Sequence, residues 1–386
     1  MAEAVCDILG DRLTKGIISI KIKEDKDRYC NTDVYIGDHP IPNEEGMEAA
    51  KAMIDLIEQS EPEDLFISVT SGGSSALLTY PMDGITLEEE MLAQDMLLKS
   101  GAKILEINAV RRHISRTNGG RLAELICNRK GAELISLMVG DAVGGPATKD
   151  RRIPGIFRGT MFAADSTTIQ DARNMILNYN LSDKLPQSVV SFINDDSMVK
   201  ETPKEFGRQL TTFILGSLAD SCEAAIKAAD QMGIPVTVLS TYLEGESREA
   251  GYFLASIAKE VKLLKRPVQP PCFLVCAGET TTSISQPPEG IGGPSQELVL
   301  GFSIGIKDIQ GIAAASIDTE GTDGTTLYAG GIVDGNTCSN LEKCGINVYK
   351  ALSTHSTGDT LMKLGDNIFT GNTGTNLCDF NVIYID

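Results

Sequence analysis

The residues from Ile67 to Leu78, ISVTSGGSSALL, have the types and order of a phosphate cradle. An apolar, strand-like run (Leu65–Val69) passes through Ser71, Gly72, Gly73, Ser74 and Ser75 into a short apolar segment. Glycines let the backbone turn sharply and come close to a ligand, and amides left open at a helix start attract anions. The same residues would also suit an ordinary tight turn. Polar residues just beyond other strand-like runs add acid–base chemistry: Asp141 after Leu134–Val139, Glu279 after FLVCAG, and Asp323 in the loop GTDG after Ile317. Carboxylates gathered beside such a turn could hold magnesium or take a proton from a hydroxyl. Each alone also fits a helix cap or a turn. A third group runs from Glu106 through Asn108, Arg111, Arg112, His113 and Ser115 to Asn118-Gly119-Gly120-Arg121. Its arginines, with Arg116, form a basic cluster whose forked donors suit carboxylates and phosphates. The other reading is a helix face paired with surface acids.

Several chemistries are absent from the pattern. His39, His113 and His355 are scattered, and no HExxH spacing points to a histidine-bound metal. There is no GxSxG elbow and no GxxxxGK[ST] loop. Gly290-Ile291-Gly292-Gly293 follows a turn-rich run and leads into Pro294, so it fails as a dinucleotide fingerprint. The nine cysteines include no CxxC pair and read as buried thiols rather than a zinc site.

These residues must be placed by elements that alternate along the chain. Strands are expected at Gly16–Ile22, Leu65–Val69, Leu134–Val139, Val236–Ser240, Cys272–Ala277 and Ile312–Ile317. Thr86 with Glu89, and Thr168 with Asp171, have capping-box spacing for helix starts, and Gly101 offers a stop. Ala250, Leu254, Ile257, Val261 and Leu264 fall on one helical face. Such alternation predicts an α/β fold with a mainly parallel sheet wrapped by helices. At 386 residues, two domains are expected. The proline-rich joint Arg266–Pro271 puts the boundary at 268/269. Met1, Val5, Ile8 and Leu9 already have helical spacing, so the start is expected to be clipped from a longer strand–helix pattern.

The net charge of −19 argues against a nucleic-acid partner, whose phosphates require basic surface. No apolar run approaches the ~18 residues of a membrane helix, and the opening MAEAVCDILGD lacks signal-peptide features. A cytoplasmic protein with no membrane partner is expected, with a homodimer left open.

Taken in order, the segments resemble the type-2 glycerate kinase family, whose C-terminal part is the MOFRL domain. The carriers are Asp38-His39-Pro40-Ile41-Pro42, SGGSSALL, SGAKILEINAVRRHIS with GGRLAE, STYLEGESREAG (Ser240–Gly251), AGETT (Ala277–Thr281), GTDG (Gly321–Gly324), AGGIVDG and TGNTGTN (Thr370–Asn376). The resemblance implies a large Rossmann-like N-terminal domain and a smaller α/β C-terminal domain, with the site between them. It implies ATP-dependent phosphorylation of D-glycerate on its 2-hydroxyl, with Mg2+. Such chemistry needs charge neutralisation and alignment more than covalent help. The phosphates are then expected on Gly72, Gly73, Ser74 and Ser75, aided by Gly371, Thr373, Gly374 and Asn376. Arg111 is expected to take the glycerate carboxylate, with Ser71, Asn108 and Arg121 beside the substrate. Asp141 is expected to hold the metal or accept the hydroxyl proton, with Glu279 and Asp323 on the nucleotide side. Members have often been labelled hydroxypyruvate reductases, against which the missing dinucleotide fingerprint speaks.

The chain departs from the family pattern in places. The lysine of a GKA-type motif would precede Met1. The arginine of GGRNQE is replaced by Pro294, and the lysine of KGGRLA by Asn118. SDVVGD reads Gly140-Asp141-Ala142-Val143-Gly144-Gly145, and Asn372 replaces the proline of TGPTGTN. Arg151, Arg152 and Arg158 mark a segment that displaces an SGPT-like one. A cation beside a transferring phosphate can be worth about 10²–10³ in rate. A nucleotide-binding relative with little kinase activity is therefore the alternative reading.

Overall fold

The computed structural model describes residues 1–21, 29–39, 41–102, 104–140, 143, 160–284 and 287–386. They fall into two compact units, 1–138 with 150–214, and 139–149 with 215–386. The joint Arg266–Pro271 runs between a helix and a strand of the second unit.

In the first unit, β1 (Gly16–Ile20) and β2 (Thr32–Ile36) pair in parallel, with Gly16 opposite Thr32. A separate three-stranded sheet holds β3 (Leu65–Thr70), β4 (Glu133–Val139) and β5 (Leu210–Gly216) in the order β3-β4-β5. β3 and β4 are parallel, Leu65 opposite Glu133 and Thr70 opposite Met138. Alternation along β4 turns Leu134, Ser136 and Met138 inward, as period-two patterning requires. Helix Glu44–Glu58 starts where Asn43 accepts from the Gly46 amide at 2.9 Å. Helices Leu87–Leu98 and Ile169–Asn178 both begin with the expected capping boxes, Thr86 with Glu89 and Thr168 with Asp171.

Two apolar cores result. One lies against the sheet and contains Leu122, Ile126, Leu134 and Leu210. The other joins helices and contains Leu97, Val110, Ile114, Met175, Val189 and Ile193. Helix Ile104–His113, which carries the arginines, is fixed by this second core, so its polar face has a set direction.

The second unit holds a six-stranded sheet in the order β10-β9-β8-β11-β7-β6. Its strands are β6 (Val236–Glu246), β7 (Cys272–Thr281), β8 (Ile312–Asp318), β9 (Gly330–Asp334), β10 (Asn367–Ile368) and β11 (Asp379–Ile385). β6 and β7 are parallel, as the alternation predicts, but every other pairing is antiparallel. Two of these pairings come from β11, which inserts between β7 and β8 with Asn381 opposite both Cys276 and Ser316.

Helix Ser247–Leu264 crosses helix Pro294–Gly305 through small residues. A side chain at Gly251 would strike the Leu298 carbonyl, and one at Gly301 the Arg248 carbonyl. Close backbones let Leu254, Val261, Val299 and Phe302 fill the core, each contributing roughly 1.5–3 kcal/mol on full burial. The buried face is centred on Gly251, Leu254, Ala255, Ala258 and Val261. Ala250 and Ile257 flank it, while Leu264 of the expected face is 57% exposed beyond it. Among the described residues, no helix is long and apolar enough to cross a membrane.

Candidate active site

In the first unit the serine–glycine segment does leave the C-terminal end of a parallel strand. β3 ends at Thr70, Gly73 takes a left-handed φ of 77°, and a short helix covers Ser74–Leu77. A side chain at Gly73 would lie 3.0 Å from the His39 ring, so the Asp38-His39 segment packs against the turn. The cradle is also tied to the arginine segment. Asn118 Nδ2 donates to the Ser75 carbonyl at 3.4 Å, and Thr117 Oγ1 to the Leu78 carbonyl at 2.8 Å.

The four arginines separate by their partners. Arg112 is buried against Asp165, Nη1 to Oδ1 at 2.8 Å. Burial pushes the Asp165 carboxyl up, but Arg112 and donors from Thr167 and Thr202 outweigh it and hold it below its ordinary value. Arg116 pairs with Asp83, donates to the Pro81 carbonyl at 3.1 Å and lies over the Tyr80 ring. Among the described residues, Arg111 meets neutral side-chain acceptors, Asn108 Oδ1 at 3.4 Å and Gln94 Oε1 at 3.2 Å. Arg121 donates to the Lys200 carbonyl at 2.9 Å, and its Nε has no partner among the described residues. Burial lowers the pKa of both Arg111 and Arg121, which marks charges held out of water rather than solvated. His113 is buried between the Ala109 carbonyl and Glu201, at 2.7 and 2.8 Å, as a structural link. A cavity of about 390 Å3 at the starts of β4 and β5, lined by Glu133, Arg208 and Gln209, contains none of these residues.

In the second unit the candidates gather at one polar end of the sheet. Asp323 is 1% exposed and accepts from the Ser295 and Gln296 amides at 3.1 and 2.9 Å. It therefore caps helix Pro294–Gly305, which gives it the structural role open to any loop acid. Gly293 must lack a side chain because one would collide with Asp323. The loop Thr370–Asn376 lies on the segment 318–324. Thr373 donates to the Glu320 carbonyl through its amide at 3.2 Å, and Asn376 Nδ2 reaches Glu320 Oε2 at 3.4 Å. Gly371 and Gly374 turn this loop with φ of 67° and 72°. Glu279 sits exposed on β7, opposite Glu244 of β6. Asp141 and the arginines Arg151, Arg152 and Arg158 lie outside the described residues.

Residues that sequence reasoning missed complete both groups. Asp318 ends β8 and Asp379 begins β11, directly opposite one another. Burial pushes Asp318 to about 7 and Asp379 to about 6, and drives Asp323 well above the usual range. Asp318 followed a strand and could have been found by the rule that flagged Asp323. Asp379 stands at the start of its strand, so only antiparallel pairing brings it there. In the first unit, Glu90 and Gln94 lie on an unremarkable acidic helix and gave no signal.

Residues 1–194 match the family model described as "Domain of unknown function (DUF4147)", and residues 272–379 match the MOFRL family. Glycerate 2-kinase of Pyrococcus horikoshii is 39% identical over 379 residues, 98% of this chain and 82% of that protein. The chain belongs to the type-2 glycerate kinase family. D-glycerate 2-kinase of Thermotoga maritima is 35% identical over 98% of this chain and 86% of its own length. A crystal structure of glycerate kinase from Thermotoga maritima superposes with a TM-score of 0.84 at 33% identity, covering 100% of this chain and 88% of that one.

Two departures from the type-2 glycerate kinase pattern have structural roles here. Pro294 is the first residue of its helix, where a missing amide costs nothing. Asn118 replaces a lysine with an amide that bonds both Ser115 Oγ and the Ser75 carbonyl. Its Oδ1 is buried without a partner beside the cradle.

Proposed function

We propose that the chain is an ATP-dependent kinase that transfers the γ-phosphoryl group to the 2-hydroxyl of D-glycerate, giving 2-phosphoglycerate. The observation that carries this reading is the state of Arg111. It is a charge withdrawn from water and, among the described residues, held by side-chain amides, close in sequence to Arg112 and Arg116, which are committed to acids. A guanidinium so held matches a small carboxylate. The turn Ser71–Ser75 at the end of β3 suits the phosphates of ATP, with Gly73 in a conformation that favours glycine. Relatives named as glycerate 2-kinases at 35–39% identity favour catalysis over a binding-only role.

In this reading the glycerate 2-oxygen forms a bond to the γ-phosphorus as the bond to the β,γ-bridging oxygen breaks. The hydroxyl proton passes to a carboxylate, for which Asp141 is the proposed acceptor. Arg111, Asn108, Arg121 and Ser71 hold and orient the acid. Glu279, Asp323, Gly371, Thr373, Gly374 and Asn376 are proposed on the nucleotide side. Magnesium would offset phosphate charge. Among the described residues no group of three His, Cys, Asp or Glu is arranged to hold it. A boundary near 268/269, supported by the MOFRL match starting at 272, and a cytoplasmic location are proposed with this function.

ADP release coupled to D-glycerate, ATP and magnesium, with the product assigned by phosphorus NMR, tests the proposal. Formation of 2-phosphoglycerate is expected. No turnover, or phosphate on the 3-hydroxyl, would refute it.

A further inference from the structure

The acidic helix Leu87–Leu98 sends one carboxylate inward. Glu90 is 1% exposed, and its Oε1 accepts from Thr79 Oγ1 at 2.6 Å and from Gln94 Nε2 at 3.1 Å. Gln94, also buried, uses its other end to accept from Arg111 Nη2 at 3.2 Å. Thr79 follows directly on the segment SGGSSALL. One carboxyl group thus links the end of the cradle segment to Arg111, while its own Oε2 is buried without a partner among the described residues. No direct ion pair joins Glu90 to Arg111 among the described residues, yet each is within reach of the other's charge.

Resting on the function proposed above, we infer that Glu90 is a positioning residue for the acid-binding arginine: through Gln94 it sets the direction of Arg111, and its charge sets how much of the guanidinium's positive charge is left for a substrate carboxylate. An isolated helix face would have no use for an acid here. Burying a carboxyl with half its acceptors unmet is costly, and a solvated glutamate would serve the helix equally well.

Among the described residues, Arg111 is the charge that faces Glu90. Helix Gln187–Asn194, packed on the same helix, carries no titratable side chain. On helix Ile104–His113, Arg112 is paired with Asp165, His113 with Glu201, and Glu106 accepts from Tyr179. Glu88 and Glu89 of its own helix lie at the capped, solvent-facing start. Burial pushes Glu90 up to about 7, so its charge changes near neutrality. Below that value it is neutral and Arg111 keeps its full charge for the ligand; above it, Glu90 competes with the incoming carboxylate.

The experiment compares wild type, Glu90→Gln and Glu90→Leu in the full chain. D-glycerate binding is followed by calorimetry without ATP, and KM and kcat are measured in the coupled assay. For wild type, glycerate affinity is expected to fall roughly three- to ten-fold between about pH 6 and about pH 8. Glu90→Gln keeps the acceptor and loses the charge, so its affinity should be high and level across that range. Glu90→Leu removes the link and should raise the glycerate KM about ten-fold at every pH, with kcat and the ATP KM little changed. A level wild-type profile, or Glu90 variants that alter kcat or the ATP KM alone, would overturn the inference while leaving the kinase reading intact. Wild type that neither binds nor phosphorylates glycerate would remove both. Thermal melting checks that the variants fold; if Glu90→Leu does not, the Glu90→Gln profile decides.

Discussion

Arg112 Nη1 and Asp165 Oδ1 meet at 2.8 Å with both side chains buried, although 53 residues separate them in the chain. Two adjacent arginines therefore have opposite fates: Arg112 is spent on holding the helix in place, and Arg111 is held by neutral groups. Removing one partner of a buried pair strands the other charge. Arg112→Met or Asp165→Ala should cost about 3–5 kcal/mol of stability, and the double substitution to apolar residues less than either alone. Urea unfolding of the full chain measures this. Asp165 is held below its ordinary value, so the pair's contribution is present above about pH 4 and is lost as acid protonates the folded carboxylate.

Arg111→Ala should lower kcat/KM for D-glycerate by about 10- to 100-fold, the worth of a charge-assisted hydrogen bond of roughly 1.5–3 kcal/mol. Arg111→Lys should recover only part, because an ammonium cannot match two carboxylate oxygens as a planar fork does. Unfolding midpoints near wild type are expected, since Arg111 makes no ion pair among the described residues. Steady-state kinetics with varied glycerate provide the check, and an unchanged KM would count against Arg111 as the acid's anchor.

Gly73→Ala places a side chain at φ 77° and 3.0 Å from the His39 ring. The left-handed backbone alone costs about 1–2 kcal/mol. If the turn carries ATP, the ATP KM should rise with little change in the glycerate KM. Equal rises in both would point to a general disturbance of the first unit.

The carboxylates of the second unit give stability an unusual slope with pH. Asp318 and Asp379 are raised to about 7 and about 6, and Asp323 is raised as well, chiefly by burial. A raised acid binds its proton more tightly when folded, so its contribution is complete below the unfolded value of about 3.9 and is lost as pH rises through the folded value. These groups feel one another and titrate together. Amide exchange along β8 and β11 should report a unit that loosens between about pH 4 and about pH 7, with each still-titrating group worth about 1.4 kcal/mol per pH unit. Asp379→Asn should flatten that slope, and a slope of opposite sign would reject the assignment.

Much of this was legible in the residues. Helix starts depend on side chains within one turn, so the boxes at Thr86 and Thr168 were readable locally. The strands at Leu65, Glu133, Cys272 and Ile312 begin within one residue of their expected positions, because apolar runs of that length have few alternatives. β6 runs on to Glu246 beyond its apolar part, held by pairing with β7 that no local pattern encodes.

By itself, the sequence determined the α/β class, the family and the turn that ends β3, because each rests on the order and type of neighbouring residues. Only the tertiary structure decided that Arg112 is paired with Asp165 while Arg111 meets amide oxygens, that Asp323 caps a helix, and that β11 sets Asp379 opposite Asp318. Partnership and burial are properties of groups brought together from distant parts of the chain. A residue's charge can be read from its letter; whether that charge is matched depends on what folds against it.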